Sequence, residues 1–304
     1  MAGRRSGLVK IIMALKQHFS FTGPYIERRL AEFHHRYHPL LGLSGRGDLK
    51  RFVSLLADAA KVSQSIEEFT NDPVLAQIWN YQQQSATDEA CWLLFLYCYI
   101  GNSGLLGVIH RSWGWEKAGA NADALQKWII DNQRDLRNAG NLSIVHKYRA
   151  LDQHRAETMG KDVKSYIAWI KALGAHAQVF QHAVSCAQGQ STIAFDRLYL
   201  SMNEHTSFKK QIKLDHLCMI GHLKISGIEP GQFYFSDVLP LKKATRQLFS
   251  GNPSAKISLS ELRELMVALM GCLGPSFSIA IMYRALMDWG NEKQLPINPN
   301  FRRY

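Results

Sequence analysis

The chain has 304 residues, of which 46% are hydrophobic and 20% are charged, a balance typical of a globular protein. This composition excludes a disordered chain, a collagen and a small domain held together by disulfides. Lys and Arg number 36 against 25 Asp and Glu, which gives a formal net charge of +11. Such a charge favours a polyanionic partner, either nucleic acid or an anionic membrane surface.

The charge is segregated along the chain. Residues 1–50 contain nine basic and three acidic residues, whereas residues 51–100 contain two basic and six acidic residues. A second basic stretch lies between residues 209 and 246. Segregated charge suits the phosphates of a nucleic acid better than a uniformly basic surface does, although solvated helix faces produce the same pattern.

Apolar residues recur with helical spacing in three segments. One stripe runs from Leu49 to Ala60, and a second predicts one long helix from Val163 to Phe180. The third runs from Leu262 to Met270, and Ser258 or Ser260 is expected to cap its helix. Strand-like alternation is scarce, and its best candidate, residues 232–239, is equally compatible with a loop.

A further helix is predicted over residues 89–100. It is apolar on all sides and is therefore expected at the centre of a core, with Thr87 and Asp88 as its cap and Gly101 as its end. The predicted fold class is all-α. We expect one two-lobed unit over residues 1–304, with a cleft between the lobes.

Within that unit we expect three regions: basic N-terminal helices in residues 1–60, a core in residues 61–290 and a C-terminal tail in residues 291–304. Five cysteines without a C-x-x-C motif predict reduced thiols in a cytoplasmic protein. The most apolar segment, residues 90–100, is shorter than the roughly 18–20 residues that span a bilayer. We therefore expect no membrane association, and a monomer.

Asp215 is the strongest candidate catalytic residue. It is the one acid of the stretch 207–223, and the basic residues around it are Lys209, Lys210, Lys213 and His216. A carboxylate at a helix start in cationic surroundings stays ionised, and it could stabilise a developing cation or activate a water molecule. A helix N-cap role explains the same residue without catalysis.

Further DNA contacts are predicted from a basic run and a glycine turn. The predicted phosphate contacts are Lys209, Lys210 and Lys213 beside Asp215 and the basic run of Lys242, Lys243 and Arg246. Gly271 and Gly274 form a G-x-x-G-P turn between two predicted helices, where backbone N–H groups could bind a phosphate. Glycines at such turns also serve packing alone. Asp288, on the following helix, is the reserve catalytic carboxylate.

Aromatic residues around the central helix predict a pocket for a base flipped out of the DNA duplex. Its predicted members are Asp88, Trp92, Asn102, Trp113 and His216. An ordinary aromatic core is the alternative explanation. The histidines form no H-E-x-x-H motif and no Cys/His quartet, and there is neither a Walker A nor a G-x-G-x-x-G motif, so we expect no metal and no cofactor.

Several of these motifs together resemble one known family. They are Ala90–Leu96, His146-Lys-Tyr148, Tyr166-x-x-Trp169, Leu214–Leu223 followed by Ile228-Glu-Pro-Gly231, and Ala285–Trp289. They are similar to the alpha-glutamyl/putrescinyl thymine pyrophosphorylase family over roughly residues 70–290. That resemblance implies the helix-hairpin-helix DNA glycosylase fold, an all-α unit of two lobes that binds DNA in its cleft.

Within the family, the chain most resembles members that excise alpha-glucosylated hydroxymethylcytosine from phage DNA. The resemblance then implies a DNA N-glycosylase of antiviral defence, with double-stranded phage DNA as partner and an abasic site as product. Asp215-His216-Leu217 matches the stretch in which the glycosylase fold carries its aspartate at the start of the helix after the hairpin. No hairpin of the L-P-G-V-G type precedes Asp215. A pyrophosphorylase-like transferase acting on hypermodified pyrimidines in DNA and a non-catalytic DNA-binding protein are the alternatives.

Overall fold

A computed structural model describes residues 22–45, 47–64, 72–101, 103–139 and 152–292. Over these residues the chain forms fifteen α-helices and no strand, which confirms the all-α prediction. The helices are α1 Gly23–Arg36, α2 Asp48–Gln64, α3 Pro73–Gln83, α4 Thr87–Ile100, α5 Ser103–Ser112, α6 Trp115–Ala120, α7 Ala122–Asp131, α8 Gln133–Ala139, α9 Gln153–Lys171, α10 His176–Cys186, α11 Ser191–His205, α12 Lys210–His222, α13 Leu239–Ser250, α14 Leu259–Leu273 and α15 Ile279–Glu292.

Of the two alternatives for residues 232–239, the loop is confirmed and the strand is wrong. This segment consists of turns and irregular backbone, and α13 begins at its last residue. Pro240 at the second position of α13 explains the boundary, because proline lacks the N–H that the first helical turn does not use. The described helices are also too short or too polar for any of them to cross a membrane.

The chain divides into two compact units. One comprises residues 1–68 and 232–304, and the other comprises residues 69–231. The chain thus passes from the first unit into the second and returns. The predicted single two-lobed unit stays a prediction.

In the first unit, α1 packs against α2 and α14, and α15 packs against α2 and α13. Phe52 of α2 meets Trp289 of α15 edge to face, with ring centroids 5.6 Å apart. Ser258 caps α14 by accepting a hydrogen bond from the Glu261 N–H, as predicted. Gly274 ends α14 with φ +105, a conformation that glycine adopts without a steric penalty.

The second unit is built around α4, which packs against α3, α5, α6, α10 and α12. Residues 90–96 of this helix are all buried, because every side of it faces another helix. Gly101 adopts the left-handed conformation that ends α4, and its N–H bonds the Tyr97 carbonyl. The predictions of a central helix and of its end at Gly101 are therefore confirmed.

Two predictions about helix boundaries in this unit are wrong. The apolar stripe from Val163 to Phe180 belongs to two helices, because the chain turns between Lys171 and His176 and Gly174 there has φ +109. Thr87 and Asp88 lie inside the first turn of α4, and its N-cap residue, Ala86, has no side-chain cap. The carboxylate of Asp88 is instead bonded to α10.

Candidate active site

The Asp88 carboxylate at the start of α4 is held by His176, the first residue of α10. Oxygen Oδ1 accepts two hydrogen bonds, one from the backbone N–H of His176 at 3.0 Å and one from its ring Nδ1 at 2.6 Å. The His176 side chain is 0% exposed, whereas that of Asp88 is 38% exposed. The other carboxylate oxygen, Oδ2, accepts no hydrogen bond from the part of the chain that the structure describes.

This environment keeps Asp88 ionised. The hydrogen bond from the His176 ring lowers the pKa of Asp88, and the backbone N–H and the positive charge of Lys171 act in the same direction. Partial burial works against them and raises the pKa. The result is a half-exposed anion that is oriented by two hydrogen bonds to one of its oxygens.

Behind Asp88, polar groups continue into the core. The hydroxyl of Tyr166 lies 2.9 Å from Nε2 of His176 and 3.4 Å from Nε2 of His216. Burial lowers the pKa of His176 and lowers that of His216 to about 3, so both rings are neutral at pH 7. Asp88, His176, Tyr166 and His216 are called the Asp88 relay below.

Aromatic rings fix the relay in place. Phe95 of α4 stacks on Tyr166 with ring centroids 3.8 Å apart, and Trp115 and His176 meet edge to face with ring centroids 4.3 Å apart. Such contacts add to the apolar burial and limit the orientations that the rings can adopt.

Glu89, the next residue of α4, is a second anchored carboxylate. Its oxygens accept hydrogen bonds from the Trp115 N–H at 2.7 Å and from Nε2 of His110 at 3.3 Å. The bond from His110 lowers the pKa of Glu89, and the Trp115 N–H lowers it further. A Cβ at Gly114 would lie 2.9 Å from Oε1 of Glu89, so a side chain there would displace the carboxylate from its present position.

Asp215 lies elsewhere. It is the sixth residue of α12, which begins at Lys210, so both the N-cap interpretation and the helix-start position are wrong. Its helix carries a half-buried face formed by Gln211, Asp215, Cys218, Met219 and His222. The helix N-terminus that was expected to keep Asp215 ionised is therefore not beside it. Asp215 is still half-buried, so part of its side chain is open to solvent.

Asp88 and Asp215 lie on two different helices of the second unit, α4 and α12. The charge of Asp215 raises the pKa of Cys98, in addition to the larger effect of burial, so Asp215 lies near Cys98. Cys98 follows Asp88 by ten residues of the same helix, a rise of about 15 Å. The charge of Asp215 thus acts on a residue in the last turn of α4, whereas Asp88 lies in its first turn.

The predicted base pocket is largely a core. Trp92 and His216 are completely buried, so neither contacts a flipped base in this conformation, and their assignment to an open pocket is corrected. The indole N–H of Trp92 donates to the Trp113 carbonyl at 2.8 Å, which joins two of the predicted residues. Asp88 is the half-exposed member of the set, and Asn102 lies outside the described residues.

Lys213 is corrected as a DNA contact. It is only 3% exposed, and its ammonium donates to the carbonyls of Met202 and Thr206, both at 3.0 Å. It therefore satisfies carbonyls at the C-terminal end of α11. Lys209 and Lys210 are exposed at the start of α12 and stay predicted phosphate contacts.

The remaining predicted DNA contacts lie in the first unit. A turn joins α14 to α15 as predicted, but it begins at Gly274, and Gly271 lies inside α14, so its place in the turn is wrong. Arg246 donates from Nη2 to the Ile257 carbonyl at 2.8 Å, a bond within the unit. Lys243 is exposed and Lys242 half-buried, and both stay predictions.

Asp288 is also in the first unit. Its carboxylate lies 3.9 Å from Nε of Arg284, one turn earlier on α15. Among the described residues, no three His, Cys, Asp or Glu side chains are grouped closely enough to hold a metal ion.

Comparison with known proteins assigns the family. Residues 50–298 match the model of alpha-glutamyl/putrescinyl thymine pyrophosphorylase clade 3. The chain belongs to this family. Membership indicates an enzyme that acts on modified DNA bases. No curated protein and no solved structure matches the chain.

Proposed function

We propose that this protein is a DNA glycosylase that excises a hypermodified pyrimidine, alpha-glucosylated hydroxymethylcytosine, from double-stranded phage DNA. It acts as a cytoplasmic monomer in antiviral defence and leaves an abasic site. The family supports an enzyme of modified DNA bases. The observation that carries the proposal is the Asp88 carboxylate, which is ionised, half-exposed and oriented by two hydrogen bonds to one of its oxygens.

The chemistry requires such a group. As the N-glycosidic bond breaks, its electron pair leaves with the base, and the sugar gains oxocarbenium character. A fixed anion stabilises that cation more than mobile water does, because folding has already oriented the anion and no reorganisation is needed during the reaction. Asp88 Oδ2 is the oxygen available to the sugar or to the attacking water.

The overall reaction balances without a further reactant. The oxygen of a water molecule bonds C1′, and one of its protons passes to Asp88 Oδ2. That proton then reaches the departing base, so the products are the released base and a C1′ hydroxyl. Asp88 returns to its ionised form.

Asp215 is the competing carboxylate, with Asp288 in reserve. Asp215 is half-buried on α12, close to Cys98 and Cys218, whose pKa values rise mainly through burial and partly through its charge. The two hydrogen bonds that His176 donates to Oδ1 orient the Asp88 carboxylate, and this observation favours Asp88.

A transferase is the second candidate, because the matched family is described as pyrophosphorylases. Such an enzyme would join an amine to an activated hydroxymethyl pyrimidine and keep the base attached to its sugar. The product therefore distinguishes the two functions.

The test uses purified full-length protein and two duplexes that differ only in whether their cytosines are glucosylated hydroxymethylcytosine. We expect abasic sites and free modified base, quantified by mass spectrometry, from the modified duplex alone. Glu116→Gln, at an exposed acid of the same unit, is the control for nonspecific loss. Binding of DNA without any released base would contradict the glycosylase, and a mass gain on the base would favour the transferase.

A further inference from the structure

The Asp88 relay has a single direction of hydrogen bonding. The Asp88 carboxylate can only accept, so Nδ1 of His176 carries the proton, and Nε2 of the neutral ring is an acceptor. The Tyr166 hydroxyl therefore donates to His176. The oxygen of Tyr166 then accepts from Nε2–H of His216, a longer bond of 3.4 Å. Each hydrogen bond of the relay is therefore donated in the direction of Asp88.

The relay crosses the core of the second unit. Its residues come from four helices, with Asp88 on α4, Tyr166 on α9, His176 on α10 and His216 on α12. The three inner side chains are completely buried. Hydrogen bonds in such surroundings polarise one another, so a donor two bonds away still strengthens the bond that reaches the carboxylate.

His216, at the inner end of the relay, lowers the stability of the folded protein. Nδ1 of His216 is buried and makes no hydrogen bond among the described residues. An apolar side chain there would avoid that cost, which is of the order of 1–3 kcal/mol for a buried unsatisfied polar group. A role for this imidazole in polarising Tyr166 explains its presence.

We propose that His176, Tyr166 and His216 are positioning residues that hold the Asp88 carboxylate ionised and in one orientation for base excision, an inference that rests on the proposed glycosylase function. The buried residues contact no substrate and act through Asp88. The exposed carboxylate is the one member of the relay that meets the DNA.

Other charged and titratable groups also act on this carboxylate. Lys171 of α9 lowers its pKa, and the anion of Asp88 in turn raises the pKa of Cys91, whose thiol burial keeps neutral. Burial lowers the pKa of His176, and the charge of Glu89 opposes this by raising it. None of these groups is altered by a change at Tyr166, so such a change isolates the relay.

The test measures base release against pH for Tyr166→Phe, with Tyr199→Phe as the matched control. Both tyrosines are completely buried in the same unit, but Tyr199 is outside the relay. Loss of the Tyr166 hydroxyl weakens the His176–Asp88 bond, so the pKa of Asp88 rises. We expect the acidic limb of kcat/KM to move up by about half a pH unit, since one net hydrogen bond is worth about 1 kcal/mol and only part is transmitted.

His216→Phe cuts the relay at its inner end and should move the same limb upward by less. The control should keep the wild-type limb. A wild-type limb in both relay variants, with folding intact, would overturn the proposed positioning role.

A second readout does not depend on activity. In the free protein, the Nδ1 proton of His176 should give a downfield NMR signal in wild type and in Tyr199→Phe, shifted upfield in Tyr166→Phe. If wild type releases no base, the proposed function fails while this measurement still decides the relay. An unchanged signal in Tyr166→Phe overturns the relay whatever the activity.

Discussion

Asp88 on helix α4 and Asp215 on helix α12 are two different kinds of carboxylate. At the start of α4, Asp88 is bonded to a buried histidine, which rests on Tyr166 and an aromatic core. Near the other end of α4, Asp215 of α12 lies on a half-buried face among thiols and close in sequence to exposed lysines. A basic neighbourhood in the sequence indicates where DNA phosphates could bind. The donors at Asp88 indicate an anion that is held in one orientation for chemistry.

The largest expected difference between the two regions is in packing. Trp92→Ala, one turn after Asp88, should lower the free energy of unfolding by about 3–5 kcal/mol, because a completely buried indole leaves a cavity. Met219→Ala, one turn after Asp215, should cost about 1 kcal/mol, because that side chain is half-buried. Urea unfolding of both variants measures the contrast, and equal losses would mean that the two regions are equally well packed.

The second difference is in acid sensitivity. In the unfolded chain His216 binds a proton near pH 6.5, whereas in the folded protein burial lowers the pKa of this ring to about 3. Protonation therefore favours the unfolded chain, and the protein loses stability as the pH falls from about 6.5 to about 3. His216→Phe should make the acid slope of the unfolding free energy shallower by about 1.4 kcal/mol per pH unit. His154→Phe, at an exposed position, is the control and should keep the wild-type slope. A wild-type slope in His216→Phe would show that this ring titrates normally.

The smallest expected effect concerns DNA affinity at the start of α12. Replacing both Lys209 and Lys210 by Ala should flatten the dependence of log Kd on log salt by about one to two units, because each phosphate contact releases condensed counterions. Lys127 and Lys161 are exposed on other helices of the same unit, and their double Ala variant is the matched control. Equal slopes in the two double variants would mean that Lys209 and Lys210 do not contact DNA phosphates.

Local signals in the sequence predicted much of the fold. The all-apolar surface of α4 predicted its central position, Gly101 its end and Ser258 the cap of α14, because each of these depends on residues close in the chain. Periodicity could not show the turn at Gly174. The apolar stripe continues across it, and only packing decides that the chain bends there.

The candidate site was harder to predict because its parts are distant in sequence. Asp88 and His176 are 88 residues apart, and His216 belongs to yet another helix. Asp88 was identified as a pocket residue, but no spacing rule connects it to His176. Lys213 shows the opposite error, since its charge suggested DNA while its ammonium binds carbonyls inside the unit.

The most direct test of the account compares Asp88→Asn with Asp215→Asn in single-turnover release of the modified base from glucosylated DNA. Both changes keep the side-chain size and remove the charge. We predict that Asp88→Asn binds DNA normally but loses at least about 100-fold in rate, the scale for a removed transition-state partner, and that Asp215→Asn stays within a few fold of wild type. Near-normal release by Asp88→Asn together with a large loss in Asp215→Asn would contradict the account and move the chemistry to α12.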